Sequence, residues 1–445
     1  MSSVRSAPTD CLGILRQLGP GMIISATIVG SGELIVTTRL GAEVGFLLLW
    51  FIILGCLIKV FLQIELGRYA ITHGKTSLQA MDSMPGPRWI VSWLVWVWLL
   101  MFVATFFQVA GMIGGASRVA AVAGLGATWP PWAWPLIISA VTAALLGVGR
   151  YRLIEIFSTA MVVVFTLFTM AAVLALNWTE FGVRWENIRE GLGFRLPADF
   201  TTAFAAFGII GVGASELIYY PYWCLEKGYA ACIGPEDGTP ERAARALGWV
   251  RVLKIDAWVS MVIYTSATVA FYLLGAAVLH SKGLKVTDAD MVPTLSHMYR
   301  ESFGNIGYWA YLVGAFMVLY KTVFLSTASN GRLCADLLRM FRVINLRDEE
   351  HRQRIIKLTC VALTVIYFIL FTTIAAPVKL VFVGALAQAL MLPFLGAAAL
   401  YFLYRHTAPA LKPGRLWMGF LWLSCVLMAV MGCYQLVTTI LKMLA

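Results

Sequence analysis

Two long apolar stretches of this chain are interrupted by the same short word. Val29-Gly30-Ser31-Gly32-Glu33-Leu34-Ile35 and Val212-Gly213-Ala214-Ser215-Glu216-Leu217-Ile218 share the pattern VGxxELI. Each copy sets one carboxylate beside small residues that weaken a helix. A carboxylate inside a bilayer is costly, so two of them at matching positions need a function. Interrupted hydrophobic segments in corresponding positions of two halves point to the binding site of an inverted-repeat transporter.

The rest of the chain agrees with a membrane setting. It is 60% hydrophobic and 13% charged, where soluble domains carry about a quarter of charged residues. The sequence therefore predicts an all-α integral membrane protein. Apolar windows and their polar breaks place eleven spans near 18–41, 46–70, 89–117, 132–149, 153–176, 201–225, 253–279, 305–333, 356–375, 380–404 and 415–441. The words interrupt the first and the sixth. Five spans separate the starts of the two halves, and an odd offset inverts the second relative to the first. Within a single transmembrane domain of residues 1–445, 18–176 then form the first repeat, 201–404 the second, and 415–441 an additional helix.

The net charge of +11 is explained by loops that orient the spans, with no nucleic-acid partner. Of the 34 Lys and Arg, 22 fall on segments on the side of the N-terminus and 10 on the opposite side. That bias puts the N-terminus in the cytoplasm and the C-terminus outside. The eight cysteines are scattered without a CxxC pair and read as packing residues. All five histidines are expected in loops, which leaves none for a proton relay within a span. No cleavable signal peptide is expected.

Gly30-Ser31-Gly32-Glu33 favours an unwound stretch whose freed carbonyls, with the Glu33 carboxylate, suit a cation. A small-residue packing face is the structural alternative. Gly213-Ala214-Ser215-Glu216 is its partner, amid Gly208, Gly211 and Pro221. Glu216 reads either as a ligand or as an ion pair with Lys321. Lys321 is either a modulating counter-charge to the glutamates or a side chain snorkelling to the cytoplasmic edge. Gln388 reads as a helix-joining amide or as a carbonyl donor to a cation. Glu65 and Arg68, three apart, read as an interfacial pair, and Asp256 as a residue at the opening of the seventh span. Tyr219, Tyr220, Tyr222 and Trp223 either line a pocket or sit at the interface.

These residues bring a family into view. Gly19-Pro20-Gly21, the break, and Gly41-Ala42-x-x-Gly45-Phe46 ending at Leu49-Trp50 resemble the first span and loop of the Nramp divalent-metal transporters. Gly213-Ala214 and Gln388-Ala389-Leu390 with Pro393 resemble the sixth and tenth spans of that family. The resemblance covers most of the chain and implies a LeuT-type 5+5 inverted repeat with broken helices 1 and 6. It also exposes departures. The family's metal-binding aspartate falls on Gly30 and its asparagine on Glu33. Its sixth-span methionine falls on Leu217 and the histidine that follows on Tyr219. The third-span acids linked to proton movement fall on Gln108 and Gly111. Gln388 matches the tenth-span glutamine, and Lys321 stands where a polar eighth-span residue is expected.

The combined expectation is a carrier of a divalent cation, a hard one such as Mg²⁺ or Mn²⁺, working by alternating access without proton coupling. Carboxylate, amide, hydroxyl and carbonyl oxygens suit such ions. Glu33, Glu216 and Gln388 are the expected metal ligands. Gly30, Ser31, Ala214, Ser215 and Leu217 complete the site, and Lys321 modulates its charge. The alternative is a carrier of an amino acid or other small organic solute on the same fold. No enzyme constellation and no cofactor are expected. The partners are the ion and the lipid bilayer; a monomer suffices, and the oligomeric state stays open.

Overall fold

The computed structural model describes residues 4–30, 32–126, 128–148, 151–197, 200–344 and 348–444. Ser31 of the first word, and Arg150 and Arg347 of the basic loops, lie outside the described residues. Among the described residues the chain is helical apart from its loops and a two-residue antiparallel hairpin that pairs Arg88–Trp89 with Val91–Ser92.

Eleven helical spans follow one another. The first is Pro20–Val44, in two halves; the second is Leu49–His73, the third Trp93–Val122, the fourth Ala133–Val148 and the fifth Tyr151–Ala175. The sixth is again in two halves, Thr201–Ile209 and Ala214–Glu226. The seventh is Pro240–Leu274, the eighth Met291–Met340, the ninth Glu349–Ile374, the tenth Pro377–Arg405 and the eleventh Arg415–Leu444. Among the described residues, nine of these are long and apolar enough to cross a membrane, and the fourth and fifth supply shorter apolar helices.

Two spans begin more than ten residues before their apolar windows. The seventh, expected from 253, begins at Pro240. Thr239 Oγ1 accepts the Arg242 N–H at 3.3 Å, Pro240 occupies the first turn, and Glu241 faces the positive end of the helix dipole. This extension is polar and leaves no apolar signal. The eighth, expected from 305, is preceded by a helix from Met291 that joins it at Gly304, where φ is 60°.

Three sets of residues stand in other surroundings than the sequence predicts. Asp256 does not open the seventh span; it lies inside it and caps the first. Its Oδ1 accepts the Gly19 N–H at 3.0 Å and its Oδ2 the Gly21 N–H at 2.6 Å, while Tyr220 Oη stands 3.1 Å from Oδ2. Glu65 and Arg68 do pair, at 2.9 Å, but both side chains are buried rather than interfacial. Trp417 Nε1 donates to Glu65, and Arg68 donates to the Leu411 carbonyl. The histidines are not all in loops, because the helices outrun the apolar windows: His73 ends the second span, and His297 and His351 lie in helices.

Small residues set how closely the spans approach. A Cβ on Gly111 would stand 2.7 Å from the Pro377 carbonyl, and one on Gly208 would run into the Ala385 carbonyl. The third span and the first half of the sixth are thereby held against the tenth.

Candidate functional site

The first helix stops at Ile28, and Val29 adopts ψ 80°. The chain resumes at Gly32 as a π-helical turn through Thr37, then continues as α-helix from Thr38. The sixth span stops at Ile209. Ile210 is extended, Gly211 takes φ 60°, and helix restarts at Ala214. The sixth-span break is therefore short. Glu33 and Glu216 each fall in the first turn of a second half-helix, where the positive end of the dipole favours a carboxylate.

The two glutamates occupy different environments. Glu33 is fully buried. Its Oε2 faces the Gly30 N–H at 3.5 Å, and its Oε1 lies 3.2 Å from Thr268 Oγ1 on the seventh span. Glu216 is only partly enclosed. It lines a cavity of about 20 Å³ between the two breaks, room for about one water or ion.

Five spans furnish that cavity. Ser215, Glu216 and Tyr219 come from the sixth, Thr27 and Gly32 from the first, and Gln388 from the tenth. Thr105, Gln108 and Met112 come from the third, and Thr322 and Ser326 from the eighth. Of the residues expected from sequence, Ser215, Glu216 and Gln388 reach the cavity. Gly30, Glu33, Ala214, Leu217 and Lys321 are not on its wall. Gly30 lies against Thr322, whose Oγ1 leaves no room for a side chain there. Ala214 and Leu217 are fully buried. Lys321 is fully buried.

Gln388 is both a helix-joining amide and part of the wall. Its Oε1 accepts the Ser215 N–H at 2.9 Å, one of the donors a helix start leaves unpaired, and its Nε2 donates to Gln108 Oε1 at 2.7 Å. The four aromatics after the sixth-span break are buried; the three tyrosines are hydrogen-bonded, and Tyr219 lines the cavity. Tyr219 Oη donates to Asn330 Oδ1 at 2.5 Å and Tyr222 Oη to Asp336 at 2.6 Å. One level further along, Glu226 accepts from Arg332 at 2.6 Å. These contacts bind the second half of the sixth span to the eighth.

Thr27, Thr105, Thr322 and Ser326 join the wall without any signal in the sequence, and two further residues stand out. Met112 of the third span lines the cavity, whereas the sixth span brings no methionine to it. Lys59, fully buried in the second span, donates from Nζ to the Phe207 carbonyl and to the Ile210 carbonyl at 2.6 Å. A lysine in the midst of an apolar run was its signal. The contacts are mirrored: the second span serves the break in the sixth, and the seventh serves the break in the first.

Two broken helices meeting at a polar cavity, inside a bundle of eleven spans, define a multi-pass membrane protein of the LeuT-type transporter fold. A solved mutant of the Eremococcus coleocola manganese transporter matches with a TM-score of 0.71 at 16% identity, over 97% of this chain and 89% of that one. A closed nucleobase-cation-symport-1 family transporter matches with 0.57 at 14% identity, over 97% and 94%. Residues 21–438 match the model of the natural resistance-associated macrophage protein-like (Nramp) family, and the chain belongs to that family.

Among its relatives, an uncharacterised protein of Pasteurella multocida is 23% identical over 340 residues, 73% of this chain and 70% of that one. A divalent metal cation transporter of Deinococcus radiodurans is 25% identical over 286 residues, 63% of this chain and 60% of that one. The chain spans less than two thirds of the length of the metal-transporter relatives it matches.

Proposed function

We propose that the protein carries a divalent cation across the membrane by alternating access, without obligatory proton coupling, and that the ion is Mn²⁺ in preference to Mg²⁺. The observation that carries this reading is Glu216: a carboxylate on the wall of an ion-sized cavity, surrounded by amide and hydroxyl groups. Such oxygen donors suit Mn²⁺ or Mg²⁺, and one thioether, Met112, tilts the set toward the softer of the two. Metal transport by named relatives points the same way. Glu216 is the principal ligand in this reading, Gln388 a wall residue whose carbonyl oxygen is shared with Ser215, and Glu33 a buried charge one shell behind.

The absence of proton coupling rests on the third span. Gln108 faces the cavity as a neutral amide, and Gly111 is packed against the tenth span. An organic solute fits the cavity less well, at about 20 Å³, and Lys321 is not on its wall to serve as a counter-charge. Residues 18–176 and 201–404 are the two inverted repeats in this reading, with 415–441 added. The N-terminus lies in the cytoplasm, on the same side as the basic start of the seventh span, with Arg242, Arg245 and Arg251.

Mn²⁺ influx into proteoliposomes tests the proposal. Wild type is expected to load Mn²⁺, Glu216→Ala to fall to the protein-free leak, and Glu33→Ala to retain part of the rate. Unchanged influx in Glu216→Ala would sink the ligand assignment, and no influx in wild type would sink the function.

A further inference from the structure

Lys59 lies on the second span, ten residues after that helix starts at Leu49 and fully enclosed. Its ammonium meets the Phe207 and Ile210 carbonyls, and it stands over the Phe207 ring, 4.6 Å from the centroid. Both carbonyls belong to the end of the first half of the sixth span. The turn at Gly211, with φ 60°, removes the helical donors these groups would otherwise meet. A half-helix C-terminus is the negative end of its dipole, and unwound carbonyls there are cation ligands in transporters with broken helices. Cys56 lies one turn before Lys59 on the same face. Its Sγ stands 3.0 Å from where a Gly211 Cβ would be, so the turn is closed tightly around the ammonium.

We infer that the sixth-span break holds a monovalent-cation site and that the Lys59 ammonium is its permanent, tethered occupant. The carbonyls that could bind a free Na⁺ or K⁺ are filled by a charge that cannot dissociate. A carrier built this way needs no monovalent ion at the break and cannot be driven by one there. The inference rests on the reading of the protein as a carrier, but the site is testable without transport.

The experiment uses the full-length protein in detergent and in liposomes. Removing the side chain in Lys59→Ala leaves a cation-sized space facing two carbonyls. Thermal unfolding is followed in chloride salts of choline, Na⁺, K⁺ and methylammonium. Wild type is expected to show the same Tm in all four. Lys59→Ala is expected to melt several degrees lower in choline and to regain at least half of that loss in Na⁺, K⁺ or methylammonium. Mn²⁺ influx should follow, at least tenfold down in choline and restored by the same ion.

Lys59→Gln and Lys59→Arg decide the matter where Lys59→Ala does not fold. Gln donates to the carbonyls without a charge, and Arg keeps the charge. The Gln variant is expected to become dependent on a small cation and the Arg variant to stay independent. A Gln variant indistinguishable from wild type, or an Ala variant that no cation rescues, would overturn the inference. Absence of Mn²⁺ influx in wild type would instead count against the carrier reading and leave the Tm comparison valid.

Discussion

Gln388 Oε1 accepts the Ser215 backbone N–H at 2.9 Å, across an interval of 173 residues. This one amide on the tenth span satisfies the start of the sixth span's second half and, through Gln108, reaches the third. Three spans thus meet at a group that also forms the cavity wall. The position of Glu216, one residue beyond Ser215, is set by it.

Gln388→Leu should therefore lower stability as well as metal affinity. It leaves the Ser215 N–H and the Gln108 carbonyl buried without partners, at a cost of about 2 kcal/mol. Thermal unfolding in detergent reads the loss. Gln108→Leu should cost less, and the double variant should show a coupling of about 1 kcal/mol, because the two residues share one hydrogen bond.

Met112 sets a further expectation. Met112 lines the cavity, and if its thioether serves the ion, Met112→Leu should weaken Cd²⁺ binding at least tenfold while changing Mg²⁺ little, since only the softer ion gains from sulfur. Isothermal titration with both ions measures the ratio. A ratio equal to that of wild type would make Met112 a packing residue.

Asp256→Asn should loosen the start of the first span. The carboxylate accepts two backbone N–H groups, from Gly19 and Gly21, and an amide offers only one oxygen. Loss of one charge-assisted bond at a helix start is worth about 1–2 kcal/mol. Hydrogen exchange over residues 20–28 should accelerate, with little change in the eleventh span.

Gly211→Ala should cost more than Gly74→Ala. Both glycines have φ near 60°, where a Cβ is unfavourable by about 1–2 kcal/mol. A Cβ at Gly211 would also stand 3.0 Å from Cys56 Sγ and the Tyr264 ring, whereas nothing lies within 4 Å at Gly74. The difference in Tm between the two variants isolates the packing at the sixth-span break.

Much of the architecture was legible in the sequence, because a bilayer demands about 20 apolar residues per crossing and the chain obeys that demand. The two breaks were legible because glycines and a carboxylate interrupt apolar runs. What escaped has a physical reason in each case. The start of the seventh span is polar, so hydropathy misses it, although Thr239-Pro240-Glu241 is a helix-start signature. Asp256 seemed local because its partners, Gly19 and Gly21, are more than 230 residues away. Glu33 and Glu216 look equivalent as words, yet one points at Thr268 and the other into the cavity. Which way a side chain turns is decided by the neighbouring spans. Gln108 and Met112 join the site from a helix whose sequence carries no break at all.

The placement of Glu216 in the first turn of a half-helix bears on the unloaded half of a transport cycle. A carrier that has released its ion must reset with the carboxylate bare, and a naked charge in a bilayer resists that return stroke. The half-helix that begins at Ala214 supplies partial positive charge beside Glu216, independent of the ion. Under the carrier reading proposed above, that fixed compensation lowers the electrostatic penalty of an empty return.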